Sequence, residues 1–225
     1  MMIGVQQDFL DRVAEIEAYF TFIQQVDGHS TLLIQSDGDV PAYTSQEQSD
    51  LVRTFKASAF LLLYNLMEST VSNAIEAIFD EFANQSISFD SCNREIRRVI
   101  LSNLRQHNPG EILPDLNRFA IDVVTKTFRK AKIVSGNVDA KKIREVADEY
   151  GFAHPSADGT PLLTIKTSRN DLAHGSKSFA EVGRNYSVTE IIAMKEKVIT
   201  YLNAMLANVA AYIIHQHYLS TSNRP

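Results

Sequence analysis

The chain is poor in cysteine, glycine, proline and positive charge, and each shortage excludes something. A single cysteine, Cys92, permits no intramolecular disulfide and no zinc ribbon, and it fits a reducing cytoplasm. Nine glycines and six prolines in 225 residues leave few obligatory breaks, which favours long helices over many short strands. Lysine and arginine number 22 against 27 acidic residues, a formal net charge of −5. A general nucleic-acid binder is usually basic, so the balance argues against bulk electrostatic binding while allowing a local basic groove. The longest apolar run, Ala57 to Met67, is interrupted by Ser58 and Asn65 and is too short to cross a bilayer, so no membrane partner is expected. The first residues lack a basic region followed by an apolar run, so no signal peptide is expected. There is no Walker loop, dinucleotide fingerprint, internal repeat or sustained heptad pattern.

Metal and thiol chemistry are also poorly provided for. His215 and His217 are two apart on a predicted helix and so point away from each other, with no Cys or acid at ligand spacing. His29, His107 and His154 fall in predicted loops. Cys92 has no recognisable His and Asn/Asp partners. No metal and no cofactor is expected.

What is present is helical periodicity. A hydrophobic content of 44% can build a substantial core, in one large domain or two small ones. Phe9, Leu10, Val13, Ile16 and Phe20 mark an amphipathic helix over residues 5–26. Residues 28–45 read as a loop in which residues 31–34 can pair briefly as a strand. A long helix over 46–82 is apolar enough to be central, with Leu51, Phe55, Ala59, Leu62, Leu66 and Thr70 near one stripe. Ser91 is read as the cap of a helix over 92–105, followed by a helix over 115–131 and a tight turn at Ser135-Gly-Asn137. Asp139 caps a helix over 140–150 that Gly151 ends. Thr160 caps a helix that opens with Pro161 and stops at Gly175. Ser187 and Glu190 form a capping box for a last helix over 188–219. The fold class is therefore all-α, with six to eight helices, the two longest packing together.

The chemistry concentrates in Thr167-Ser-Arg-Asn-Asp-Leu-Ala-His-Gly175, which sets Arg169, Asn170 and His174 within six residues at a helix end. Arginine grips phosphate by paired hydrogen bonds, and histidine moves protons near neutral pH. At the last helical turn the helix dipole favours the charged imidazole. Asn170 and His174 are four apart and share a face, as do Asp171 and His174 at three. Arg169 and His174 are five apart, roughly 140° around the axis, so one copy makes an awkward site. Two copies meeting across a two-fold axis can surround one phosphate with two arginines and two histidines. The same residue types also serve as ordinary caps and ion pairs at helix ends.

These residues resemble the HEPN superfamily, whose hallmark is Arg, four to six residues, then His, often with a polar residue after the Arg. Arg169, Asn170 and His174 fit that pattern, and Gly175-Ser-Lys-Ser-Phe179 continues it. Ser135-Gly-Asn-Val-Asp-Ala-Lys-Lys-Ile-Arg144 and Tyr64-Asn-Leu-Met-Glu-Ser-Thr70 are similar as well, to the MAE_28990/MAE_18760-like HEPN group. The resemblance covers nearly the whole chain and implies a single domain over residues 1–225. It also implies an α-helical bundle that dimerises with its two Arg–His motifs facing. The implied activity is metal-independent RNA cleavage by 2′-hydroxyl attack, with Arg169, Asn170 and His174 as catalytic residues. The usual setting is a toxin, an abortive-infection effector or another bacterial defence protein, cytoplasmic and paired with an antitoxin or co-encoded partner. Some HEPN proteins are instead non-catalytic binding or regulatory modules, and a purely structural scaffold is a third reading.

Two further features are candidates. Glu68, inside an apolar helix, can orient Arg169 or His174, as an acidic residue of this region does in related HEPN proteins, or pair with any basic side chain. Lys126, Arg129, Lys130, Lys132, Lys141, Lys142 and Arg144 face one acid, Asp139, within residues 126–144. They can guide an RNA backbone or form a solvated face. Arg94, Arg97, Arg98 and Arg105 are a weaker second cluster.

Overall fold

The computed structural model describes residues 2–28, 45–106, 119–128 and 136–224. Among them the chain forms eight α-helices and no strand beyond an isolated bridge between Cys92 and Leu219. The helices are α1 (Met2–Gly28), α2 (Ser45–Asn84), α3 (Arg94–Arg105), α4 (Phe119–Lys126), α5 (Ala140–Tyr150), α6 (Thr160–Ala173), α7 (Phe179–Arg184) and α8 (Val188–Ile214). The all-α expectation holds; α2 packs against α1, α4, α6, α7 and α8, while α3 packs on α4 and α5.

The apolar content of α2 runs nearly all round the helix, so it can be stable only if surrounded. Phe60, Leu63, Tyr64, Leu66, Met67, Val71, Ile75, Ile78 and Phe82 are all buried, each worth about 1.5–3 kcal/mol for the larger apolar side chains. Helices α1, α6, α7 and α8 pack directly on it, and α8 also touches α1 and α6. The two long helices α2 and α8 therefore pack together as the sequence predicts. One hydrophobic cluster draws side chains from all eight helices. In α7, Gly183 is obligatory: a Cβ there would lie 1.9 Å from the Arg53 carbonyl oxygen, so only glycine lets α7 lie this close to α2.

Several expectations are corrected. In α1, Leu10 is half-exposed, and Ile23 joins Phe9, Ile16 and Phe20 in the core instead. Asn93, not Ser91, caps α3: its Oδ1 accepts the Ile96 N–H at 2.9 Å. Ser91 belongs to a 3₁₀ turn, Phe89–Ser91, whose backbone pairs with the C-terminal tail through Ser220 N to Ser91 O at 2.9 Å. Thr160 is the first residue of α6 rather than its cap, because the Asp158 carboxylate accepts both its N–H and its hydroxyl. The α4 helix ends at Lys126, short of 131, and its expected start at 115–118 lies outside the described residues, as do residues 31–34. Helix α7 is an addition to the helices expected from sequence, although Ser178 and Glu181 form the same reciprocal box that starts α8 at Ser187 and Glu190.

The last helix stops at Ile214 rather than 219. Gln216 adopts φ +49 and turns the chain back. The His215 and His217 rings therefore stack, 5.6 Å apart at 29°, instead of diverging as they would on a continuous helix. The returning tail gives its Tyr218 carbonyl to Asn93 N–H at 2.7 Å and its His217 carbonyl to the Asn93 amide at 2.8 Å, so the cap of α3 and the tail support each other. Helix α8 is long and apolar enough to cross a membrane by length and composition alone. Ten of its residues are buried against the rest of the bundle. One of them, Lys195, is reconciled with burial by Glu17 and Glu196 and by the Phe20 ring, 5.4 Å from its Nζ.

Candidate functional site

Helix α6 carries the Arg–Asn–His segment. Pro161, Leu162, Ile165, Ser168 and Leu172 are buried and fix its rotation. Leu163, Thr167, Asn170 and His174, at spacings of three and four, form the opposite stripe, with Leu163, Thr167 and His174 exposed and Asn170 half-buried. Arg169 leaves the helix on its flank. Its guanidinium lies 4.5 Å from the centre of the buried Tyr64 ring, and Nη1 donates to Asn170 Oδ1 at 3.1 Å. The helical wheel separates Arg169 from Asn170, but the long side chain folds back and joins them.

A turn that follows residue 135 completes this region, with Gly136 against the Arg169 guanidinium. Gly136 has φ +70 and donates its N–H to Glu68 Oε1 at 3.1 Å. Val138 N–H donates to the Tyr64 hydroxyl at 3.1 Å. Tyr64 and Glu68 are one turn apart on α2, so one helix face holds both ends of the turn. Asp139 follows: Oδ1 accepts Lys142 N–H at 2.8 Å and caps α5, while Oδ2 accepts from Lys166 of α6. Burial raises the Asp139 pKa, but the Lys166 ammonium and the Lys142 N–H outweigh it and hold the carboxyl below its ordinary range. Burial pushes the Tyr64 hydroxyl up, opposed by the Val138 N–H.

His174 is different. It is the C-cap residue of α6; its backbone N–H bonds the Asn170 carbonyl at 3.0 Å, and Gly175 at φ +67 turns the chain away. Its imidazole is exposed and makes no hydrogen bond or ion pair among the described residues. Asp171 does not serve it, being engaged by Lys177 Nζ at 2.6 Å and Ser176 Oγ at 3.2 Å. The hydrogen bond from Lys177 lowers the Asp171 pKa.

The structure thus brings Arg169, Asn170 and Glu68 into one neighbourhood, Glu68 through the turn rather than by an ion pair, with His174 at the adjoining helix end. Lys141, Lys142 and Arg144 lie together on α5, while Lys126 ends α4 on a separate element. Arg129, Lys130 and Lys132 lie outside the described residues. In the second cluster, Arg97 is committed to the Phe89 and Asp90 carbonyls. Burial pushes the Cys92 thiol up to about 12, which leaves it unreactive near neutral pH. Tyr64, Lys166 and Gly136 border the candidate site; Tyr64 and Gly136 fall in segments quoted from the sequence without a site role, and the Tyr64/Glu68 spacing of four is the available signal. Among the described residues no group of three or more His, Cys, Asp or Glu could hold a metal ion.

A family model for MAE_28990-like HEPN domains matches residues 4–218. The chain belongs to the MAE_28990-like HEPN family, an all-α family of nuclease-type modules. No curated protein and no solved structure matches it.

Proposed function

We propose that this chain is a metal-independent endoribonuclease acting as a homodimer with a composite site, one domain spanning residues 1–225. The observation that carries the reading is the split at the end of α6. Arg169 and Asn170 are joined and braced from below, whereas His174 is exposed with no partner on its own chain among the described residues. That is the arrangement expected of half a phosphate site.

In the reaction, one His174 takes the proton from a ribose 2′-hydroxyl as its oxygen attacks phosphorus. The bond from phosphorus to the 5′-oxygen breaks, and a His174 imidazolium, either the one just protonated or that of the second chain, delivers a proton to that leaving oxygen. Arg169 neutralises charge developing on the phosphate, and Asn170 holds a phosphate oxygen or the imidazole. Glu68 acts at a distance, through Gly136 and the turn beside Arg169. The products are a 2′,3′-cyclic phosphate and a 5′-hydroxyl. The proposed setting is a cytoplasmic toxin or effector of a bacterial defence or toxin–antitoxin system, restrained by an antitoxin or co-encoded protein.

The test is incubation of purified protein with RNA in EDTA, with end-group analysis of the products. The expected result is cleavage to cyclic phosphate ends, with DNA of the same sequence uncut and both Arg169→Ala and His174→Ala inactive. Cleavage that needs added metal, or survives both substitutions, overturns the mechanism. No cleavage of any RNA, with a stable complex to a co-encoded protein, would replace it with the regulatory-module reading.

A further inference from the structure

Beside the motif, between α5 and α6, the surface opens into a cleft of about 480 Å³. Its walls combine Lys141, Arg144 and the Thr160 hydroxyl with an apolar shelf of Ala140, Ala157 and Leu163. Leu163 is 57% exposed, a large apolar side chain that nothing covers among the described residues.

The charges at the cleft do not cancel. Of its two carboxylates, Asp139 is paired with Lys166. Asp158 is taken by the Thr160 hydroxyl and by Lys197 at 2.9 Å, which hold it well below its ordinary range. Lys141 and Lys142 share one acid, Glu145, at 3.8 and 3.9 Å, long contacts between exposed groups that are readily exchanged. Arg144 makes no ion pair among the described residues; it lies beside the Tyr201 hydroxyl, a neutral partner that leaves its charge uncompensated. An unneutralised guanidinium and a loosely held ammonium thus face an apolar shelf. That combination suits a nucleotide, whose phosphate is anionic and whose ribose and base offer flat apolar surface.

Position narrows the occupant further. Leu163 shares the outward stripe of α6 with Thr167, Asn170 and His174. It lies seven positions before Asn170, which places the cleft roughly 10 Å along the helix axis from the motif. A strand whose scissile phosphate sat at Arg169, Asn170 and His174 would pass over it within a short run of nucleotides. Resting on the nuclease reading, we infer that the α5–α6 cleft is a binding subsite for single-stranded RNA flanking the scissile phosphate. Arg144 and Lys141 hold a backbone phosphate, and Leu163 and Ala157 support the nucleotide without reading its sequence.

The experiment measures anisotropy of a labelled single-stranded RNA on full-length His174→Ala protein in EDTA, so that binding is separated from cleavage. Arg144→Glu and Lys141→Glu in that background should each weaken binding by roughly three- to tenfold. Each should also reduce the slope of affinity against salt by about 0.7 for every phosphate no longer neutralised. Arg184→Glu, the same charge change at a different cleft beside α1 and α2, should leave binding unchanged. No RNA binding, unchanged affinity in folded Arg144→Glu, or equal loss in Arg184→Glu overturns the subsite. Cleavage by the unsubstituted chain, read in parallel, keeps the two proposals apart. Binding that depends on Arg144 without any cleavage keeps the cleft and rejects the nuclease. Cleavage by the unsubstituted chain, with binding that ignores both substitutions, keeps the nuclease and rejects the cleft.

Discussion

Arg169 and His174 stand five residues apart at the end of one helix, and the protein treats them in opposite ways. Arg169 is half-buried, laid over Tyr64 and bonded to Asn170, beside a turn pinned by Tyr64, Glu68 and Lys166. His174 is exposed and tied down only by its backbone. Under the proposed nuclease reading, the contrast teaches how one chain can preorganise the group that would bind charge while leaving the group that would move protons to be oriented elsewhere. Oriented cations lower a barrier most when they need no rearrangement during reaction. An imidazole, by contrast, needs a defined partner, and the described residues of this chain offer His174 none.

The largest expected effects test that contrast directly. His174→Ala should lower RNA cleavage by about 10²–10⁴ while stability changes by no more than about 0.5 kcal/mol, as for other exposed sites. Arg169→Ala should lower cleavage by about 10²–10³. Arg169→Lys should not restore it, because an ammonium neither stacks on Tyr64 nor binds phosphate with a fork. Comparable stability losses at both positions, read by urea unfolding, would erase the difference between them.

Next comes the support beneath Arg169. Tyr64→Ala should cost about 3–5 kcal/mol, as expected for a large aromatic removed from a core. Tyr64→Phe keeps the ring under the guanidinium but strands the buried Val138 N–H, at a cost of about 1–3 kcal/mol. Cleavage by Tyr64→Phe should stay near that of the parent where both are folded. If Tyr64→Phe lost activity as His174→Ala does, the ring would not be what matters.

Much of the fold is legible in the sequence. Helix α2 betrays its central place by being apolar all round, and Asp139 with Gly151, or Ser187 with Glu190, marks helix ends by local chemistry. The departures have tertiary causes. Asn93 displaces Ser91 as a cap because the returning tail reaches it, and no local signal reports a segment more than 120 residues away. His215 and His217 stack because the chain leaves the helix, a change that the apolar turns before them do not foretell. Within the site, Arg169, Asn170 and His174 are legible as a motif. That Arg169 rests on Tyr64, and that Lys166 reaches Asp139, depends on how α2 and α5 meet α6, which periodicity does not encode.

Smaller effects sharpen the same comparison. Asp139→Asn retains an acceptor for the α5 cap but loses the charge paired with Lys166, and should cost about 1–2 kcal/mol at neutral pH. Because the folded carboxyl titrates below its ordinary value, its contribution is complete above pH about 4 and fades as pH falls through the lowered pKa. Urea unfolding against pH should therefore show a shallower acid-side decline in Asp139→Asn than in the parent. Smallest is Glu68: Glu68→Gln keeps an acceptor for Gly136 and should hold cleavage within about tenfold, while Glu68→Ala should cost about 0.5–1.5 kcal/mol of stability. A loss in Glu68→Gln as large as that in His174→Ala would put the carboxylate against the reacting groups.

The central claim is that each chain supplies half of a site, and mixing tests it most directly. Arg169→Ala and His174→Ala proteins, each inactive alone, are exchanged into mixed dimers whose formation is verified, then assayed on RNA in EDTA. The account predicts that cleavage returns in part, because the mixed dimer unites an intact Arg169 from one chain with an intact His174 from the other. Verified mixed dimers as inactive as their parents would contradict it.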